Sequence, residues 1–130
     1  RFDNRIIYEK IIEVDEKIVR LPSFTLQPIV ENAFVHGVSR MEEGGKITVH
    51  IWQEEKNIWI TISDNGRGME KEQLEQLNEK IHRENTSGRG IGLGNICKRI
   101  DMMYAGGKVY VSSIKNQGTE VKLKIPQNFI

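Results

Sequence analysis

Four glycines fall at alternate positions in the stretch SGRGIGLGN, at Gly88, Gly90, Gly92 and Gly94, and the helical pattern ICKRIDMMYA follows directly. Glycine loses more backbone freedom on folding than any other residue, so this density needs a cause. A backbone stripped of side chains that leads into a helix offers free N–H groups and the positive end of the helix dipole, a setting for a polyanion. A flexible hinge loop would account for the same glycines. Two familiar phosphate fingerprints do not fit. The pattern G-x-G-x-x-G/A reaches Leu93 from Gly88, Asn95 from Gly90 and Cys97 from Gly92. Neither Gly45-Lys46-Ile47 nor Gly107-Lys108-Val109 supplies the Gly-Lys-Ser/Thr of a P-loop.

Two further stretches carry residue types able to do chemistry. SDNGRGM ends an apolar run with Asp64, Gly66, Gly68 and Met69. Asp-Asn-Gly is ordinary turn chemistry, yet a turn requires neither Gly68 nor Met69. A carboxylate held at a strand end beside two glycines can accept a hydrogen bond from a flat amine and let a ring lie close. ENAFVHG places Glu31, Asn32 and His36 on a helix whose other face is apolar. Asn32 and His36 are four apart and share a face, either an exposed polar surface or one turned to a ligand. Asparagine is a poor helix-interior residue, which tilts the reading toward the ligand.

These residues must be positioned by regular elements. In LPSFTLQPIVENAFVHG, Leu26, Ile29, Val30, Ala33 and Phe34 have helical spacing. Thr25 serves as cap, Pro28 falls in the first turn and Gly37 terminates the helix. Arg5 to Val14 reads as a strand, with a DEK turn and IVRL as a short partner strand. KITVHIWQ and NIWITISD alternate around an EEKN turn, and KVYVSSIK and TEVKLKIP around NQG. EKEQLEQLNEKI is a charged helix with Leu74, Leu77 and Ile81 on one side, and HRENTSGRG reads as a mobile polar segment. The pattern predicts an α+β two-layer sandwich, a mixed and mostly antiparallel sheet of about five strands with three helices on one face.

At 130 residues the chain is one domain, residues 1–130, with 38% hydrophobic and 28% charged residues as in soluble globular proteins. A formal charge of +1 gives no basic field for nucleic acid. The one cysteine, Cys97, excludes an internal disulfide framework and points to a reducing compartment. No apolar run approaches the ~18 residues that cross a bilayer, and nothing has the form of a signal peptide. The chain opens on Arg1, which reads as a segment cut from something longer.

Asparagine on a helix, then D-x-G-x-G after a strand, then G-x-G-x-G before a helix resembles the Bergerat ATP-binding fold. DNA gyrase, MutL, heat-shock chaperone ATPases and sensor histidine kinases share that fold. LQPIVENAFVHG, DNGRGM and GIGLGNICKRI are similar to the catalytic domain (HATPase_c, of the GHKL group) of LytS/YesM-class sensor histidine kinases, from RFDNRI to GTEVKLKIP. The resemblance implies ATP and Mg²⁺ as ligands. By it, Asn32 coordinates Mg²⁺ bridging the phosphates, a neutral oxygen beside phosphate and water ligands. Asp64 accepts from the adenine amine, Gly66 and Gly68 let the base approach with Met69 beside them, and Thr119 reaches adenine, usually through water. Arg89, Gly90, Ile91, Gly92, Leu93 and Gly94 belong to a lid that hinges over the phosphates. Many relatives carry a lysine where this chain has Val35, so phosphate charge falls more on Mg²⁺, His36 and Arg89. No phenylalanine lies between Gly68 and Gly90, which marks a short lid.

In the hydrolytic relatives a glutamate four residues before the asparagine activates water, and here that position is Pro28. Glu31, the candidate catalytic residue, lies about 100° round the helix from Asn32, whereas a residue four back lies about 40° away. Without a water-activating base, ATP is held for an outside nucleophile, and phosphoryl transfer mostly needs positioning and charge neutralisation. The expected acceptor is a histidine on an upstream dimerisation hairpin of the same kinase, with a response regulator served indirectly. The resemblance further implies a cytoplasmic domain of a membrane-anchored bacterial kinase, this segment touching neither membrane nor nucleic acid. A GHKL-type ATPase and a non-catalytic ATP-binding regulatory module remain as alternative readings.

Overall fold

The computed structural model describes residues 6–14, 29–39, 41, 44–81 and 106–126. Five strands form one sheet in the order β1-β2-β3-β5-β4, where β1 is Ile6–Glu13, β2 Gly45–Glu54, β3 Asn57–Asp64, β4 Lys108–Ile114 and β5 Gly118–Pro126. The two tight hairpins follow from sequence-local turns. Glu55 and Lys56 join β2 to β3, with Glu54 opposite Asn57, and residues 115–117 join β4 to β5, with Ile114 opposite Gly118. β3 and β5 then pair antiparallel, and β1 lies parallel to β2, with Ile6 beside Gly45. The sheet is therefore mixed and mostly antiparallel, as the alternating patterns predict.

Period-2 alternation sorts the side chains into two faces. Ile47 and Val49 of β2, Ile58, Ile60 and Ile62 of β3, Val121, Leu123 and Ile125 of β5 and Val109 and Val111 of β4 all point to one face and are buried. Helix α1, residues 29–38, packs on this face against β2, β3 and β5, burying Ile29 and Val38. Helix α2, Lys71–Ile81, covers the β4 side with Leu74 and Leu77 packed on the same core. Its first turn is held by the Gln73 side chain, which accepts the Glu70 N–H at 3.0 Å, the returning half of a capping box. The opposite face of the sheet carries polar and aromatic groups. There Trp52 and Trp59 sit opposite one another with stacked rings, centroids 6.4 Å apart. Lys122 and Lys124 lie 5.4 Å and 6.0 Å over the Trp59 ring.

Helix α1 departs from its expected end. Residues 29–32 are α-helical and run into a π-helical turn, Ala33–Val38, in which the Ser39 N–H reaches back five residues to the Phe34 carbonyl at 2.9 Å. Gly37 does not terminate the helix. It lies inside the π turn, and a Cβ there would sit 2.7 Å from the Asp64 carboxylate. The glycine is required by close approach between elements, not by a left-handed cap. The expected IVRL strand, the Thr25 cap, Pro28, the segment from Arg83 to Gly94 and the third helix lie outside the described residues.

Candidate functional site

β3 delivers Asp64 at its last position, on the buried face of the sheet, directly opposite Thr119 of β5. Antiparallel partners stand side by side, so the carboxylate and the hydroxyl rise together from the sheet. Asp64 Oδ1 accepts the Gly66 N–H at 2.8 Å, and the carboxylate also accepts the Thr119 N–H. Burial pushes the Asp64 carboxyl above its ordinary value, and those two N–H groups act against the shift. A carboxylate so held is rigid and partly desolvated, which strengthens any hydrogen bond it accepts from a ligand.

The loop after Asp64 is fixed from several sides. The Asn65 side chain accepts the Lys46 N–H at 2.7 Å and donates to the Gly44 carbonyl at 2.8 Å, so the loop is tied to the start of β2. A Cβ on Gly66 would meet the Gly37 backbone at 2.3 Å, which places loop and helix in backbone contact. Arg67 Nε donates to the His36 carbonyl at 3.0 Å, one of the carbonyls the helix end leaves open. Gly68, at φ +65°, packs its backbone against the Ile114 carbonyl. The Met69 N–H then donates to Ser113 Oγ at 2.8 Å. Asp64, Gly66, Gly68, Met69 and Thr119, expected together from the sequence, are thus joined in one bonded hub.

Helix α1 presents the remaining expected groups. His36 is exposed and borders a cavity of about 250 Å³ shared with Gly37, Asn65, Gly66 and Arg67. Asn32 is half-buried just before the π turn, and its amide caps nothing. Glu31 is exposed on another flank, bordering a separate hollow of about 430 Å³ with Ile6, Tyr8 and Phe34. The sidewise divergence of Glu31 from the Asp64 hub follows from its helical position one residue before Asn32. Arg89, Gly90, Ile91, Gly92, Leu93 and Gly94 lie outside the described residues. Among the described residues no group of three or more His, Cys, Asp or Glu could hold a metal ion.

Two participants escape a motif-based reading. Arg67 stands at a position that the D-x-G-x-G pattern leaves free. Ser113 lies inside the strand KVYVSSIK, and its only sequence signal is a hydroxyl at the third step of the inward alternation Val109, Val111, Ser113.

Residues 21–128 match the family model of the histidine kinase-, DNA gyrase B- and HSP90-like ATPases. The chain is 33% identical to the sensor protein LytS of Bacillus cereus over 130 residues, 98% of this chain and 22% of that protein. It is 32% identical over 129 residues to the sensor histidine kinase YesM of Bacillus subtilis, 97% of this chain and 20% of that protein. The histidine kinase domain of the Erythrobacter litoralis EL346 blue-light activated histidine kinase superposes with a TM-score of 0.66 at 18% identity, over 94% of this chain and 52% of that one. The chain thus spans about a fifth of the length of these curated relatives and has the fold of a histidine kinase catalytic domain.

Proposed function

The chain belongs to the histidine kinase-, DNA gyrase B- and HSP90-like ATPase family, and from that premise we propose that it is the catalytic domain of a sensor histidine kinase in two-component signalling. It binds ATP with Mg²⁺ and presents the γ-phosphoryl group to a histidine on a dimeric helical hairpin of the same kinase, from which a response regulator is served. The observation that carries the reading is the Asp64 carboxylate, fixed by two backbone N–H groups beside Thr119. That is an acceptor pair suited to an adenine amine. The exposed His36, with its cavity and Arg67 close by, offers positive or hydrogen-bonding groups toward a phosphate tail. Asn32 contributes one neutral oxygen to the ion. When bound, Mg²⁺ would supply charge neutralisation on the transferring phosphates, with Asn32 as its one protein oxygen.

Transfer in preference to hydrolysis rests on the residues available as a base. Pro28 has no titratable group, and Glu31 faces the hollow beside β1. The kinase reading also implies a cytoplasmic domain of a membrane-anchored protein. No helix among the described residues is long and apolar enough to cross a membrane.

The test combines the domain with γ-labelled ATP, Mg²⁺ and the histidine-bearing hairpin of the full-length kinase. Acid-labile, base-stable phosphohistidine on the hairpin is the expected product, slow phosphate release the expected background, and Asn32→Ala the variant that loses transfer. Rapid hydrolysis that ignores the hairpin and collapses in Glu31→Gln would replace the kinase with an ATPase.

A further inference from the structure

We propose that Ser113 is a positioning residue that fixes the hydrogen-bond polarity of Thr119, so that the site selects a base bearing an exocyclic amine over one bearing a carbonyl oxygen at that position. The inference rests on the ATP reading above and deepens it. A serine hydroxyl has one hydrogen to give and two lone pairs to receive with. Ser113 Oγ touches three groups: the Met69 N–H at 2.8 Å, the Gly118 carbonyl at 2.9 Å and Thr119 Oγ1 at 2.8 Å.

Only one assignment satisfies all three contacts. The Met69 N–H can only donate, so it takes one lone pair of Ser113. The Gly118 carbonyl can only accept, so it takes the serine's single hydrogen. Thr119 must therefore donate its own hydrogen to the second lone pair of Ser113. Gly118 is buried, and the serine orientation that keeps all three contacts leaves neither its own hydrogen nor that of Thr119 without an acceptor. Thr119 Oγ1 is left with lone pairs alone.

Across the ladder the ionised Asp64 is likewise an acceptor only. The Asp64–Thr119 pair thus faces a ligand with no hydrogen to offer. A water bridging the two would spend both its hydrogens on them and show the base only lone pairs, so the polarity survives a water relay. An amine with two N–H bonds satisfies this arrangement. A ring carbonyl meets lone pair against lone pair.

Three triphosphates probe the effect by calorimetric titration: ATP, inosine triphosphate with a carbonyl in place of the amine and an N–H at N1, and purine riboside triphosphate with neither group and an unprotonated N1. In the native protein ATP binds about 10²-fold or more tighter than inosine triphosphate, with purine riboside triphosphate between them. Ser113→Ala frees the Thr119 hydrogen to turn outward, so inosine triphosphate gains on purine riboside triphosphate and the ATP preference narrows about tenfold. Ser113→Thr keeps the hydroxyl and the native ratios. A merely structural role would lower all three affinities in proportion, and an unchanged ratio in Ser113→Ala overturns the inference. Should Ser113→Ala fail to fold, Thr119→Val removes the acceptor and must shrink the lead of ATP over purine riboside triphosphate; an unchanged lead overturns it equally. Failure of the native protein to bind ATP at all is a different result, which sinks the ATP reading and this inference with it.

Discussion

Gly118→Ala is expected to destabilise the domain by roughly 3–5 kcal/mol, combining a strained backbone with an overlap that cannot relax. Gly118 sits at φ +126°, where side chains are rarely tolerated, and a Cβ there would fall 1.9 Å from the Asp64 carbonyl oxygen. The obstructing atom is backbone in the central strand, so it has no rotamer to escape into. Because small domains are stable by only about 5–15 kcal/mol, this one methyl group removes a large share of the total. Gly44→Ala separates the two causes. Gly44 has φ +81° and nothing within 4 Å of its Cβ position, so it carries the conformational penalty alone, about 1–2 kcal/mol. Urea unfolding of the two variants side by side is the measurement. Equal losses would mean that β5 can shift away from β3 at its first residue, against the close packing described.

The second large effect is on ligand affinity, at Asp64. Asp64→Asn is expected to weaken ATP binding by about 1.5–3 kcal/mol, roughly ten- to more than a hundredfold, because the acceptor loses its charge. Stability should respond in the other direction. The folded carboxyl titrates above its ordinary value because burial opposes the charge. The folded state therefore holds the Asp64 proton more tightly than the unfolded chain does. The stability linked to that proton is complete below the unfolded value and is lost as pH rises through the folded one. Ionised Asp64 at neutral pH is thus a cost the fold bears, and Asp64→Asn should leave the ligand-free domain as stable as before or slightly more so. Lowering the pH through the raised value should cut ATP affinity more steeply in the native protein than in the Asn variant, since protonation of ATP itself acts on both alike. Calorimetric titration across that range, paired with urea unfolding, checks both signs. An Asn variant that binds ATP normally would remove Asp64 from the site.

What could be read from the sequence was whatever has a local cause. The β2–β3 and β4–β5 hairpins follow from alternation and from turns a few residues long, so the strands were found close to their observed ends. Asp64 was placed at a strand end beside Gly66 because Asp-Asn-Gly after an apolar run is itself a local pattern. Features with tertiary causes were not legible. Gly37 looks like a helix stop, yet its backbone is bare because Asp64, far along the chain, lies against it. The parallel partner of β1 is a strand that starts beyond helix α1, a pairing no window of neighbouring residues contains. Ser113 read as one more strand residue, since its role depends on a carbonyl, a hydroxyl and an N–H that only the folded ladder brings to it.

The stacked tryptophans on the far side of the sheet determine which optical signals the domain can give. Trp52 and Trp59 are the only two in the chain and share one face, while Asp64 and Thr119 open onto the other with the hydrophobic core behind them. Intrinsic fluorescence therefore follows the separation of β2 from β3 as the sheet unfolds, and Lys122 and Lys124 over Trp59 make it sensitive to charge at that surface. A nucleotide bound at Asp64 would be screened by the thickness of the sheet and is expected to leave the emission unchanged. Unfolding should then be measurable in the presence of ATP without a spectral contribution from occupancy, and ligation would be watched through a probe placed on the helical side.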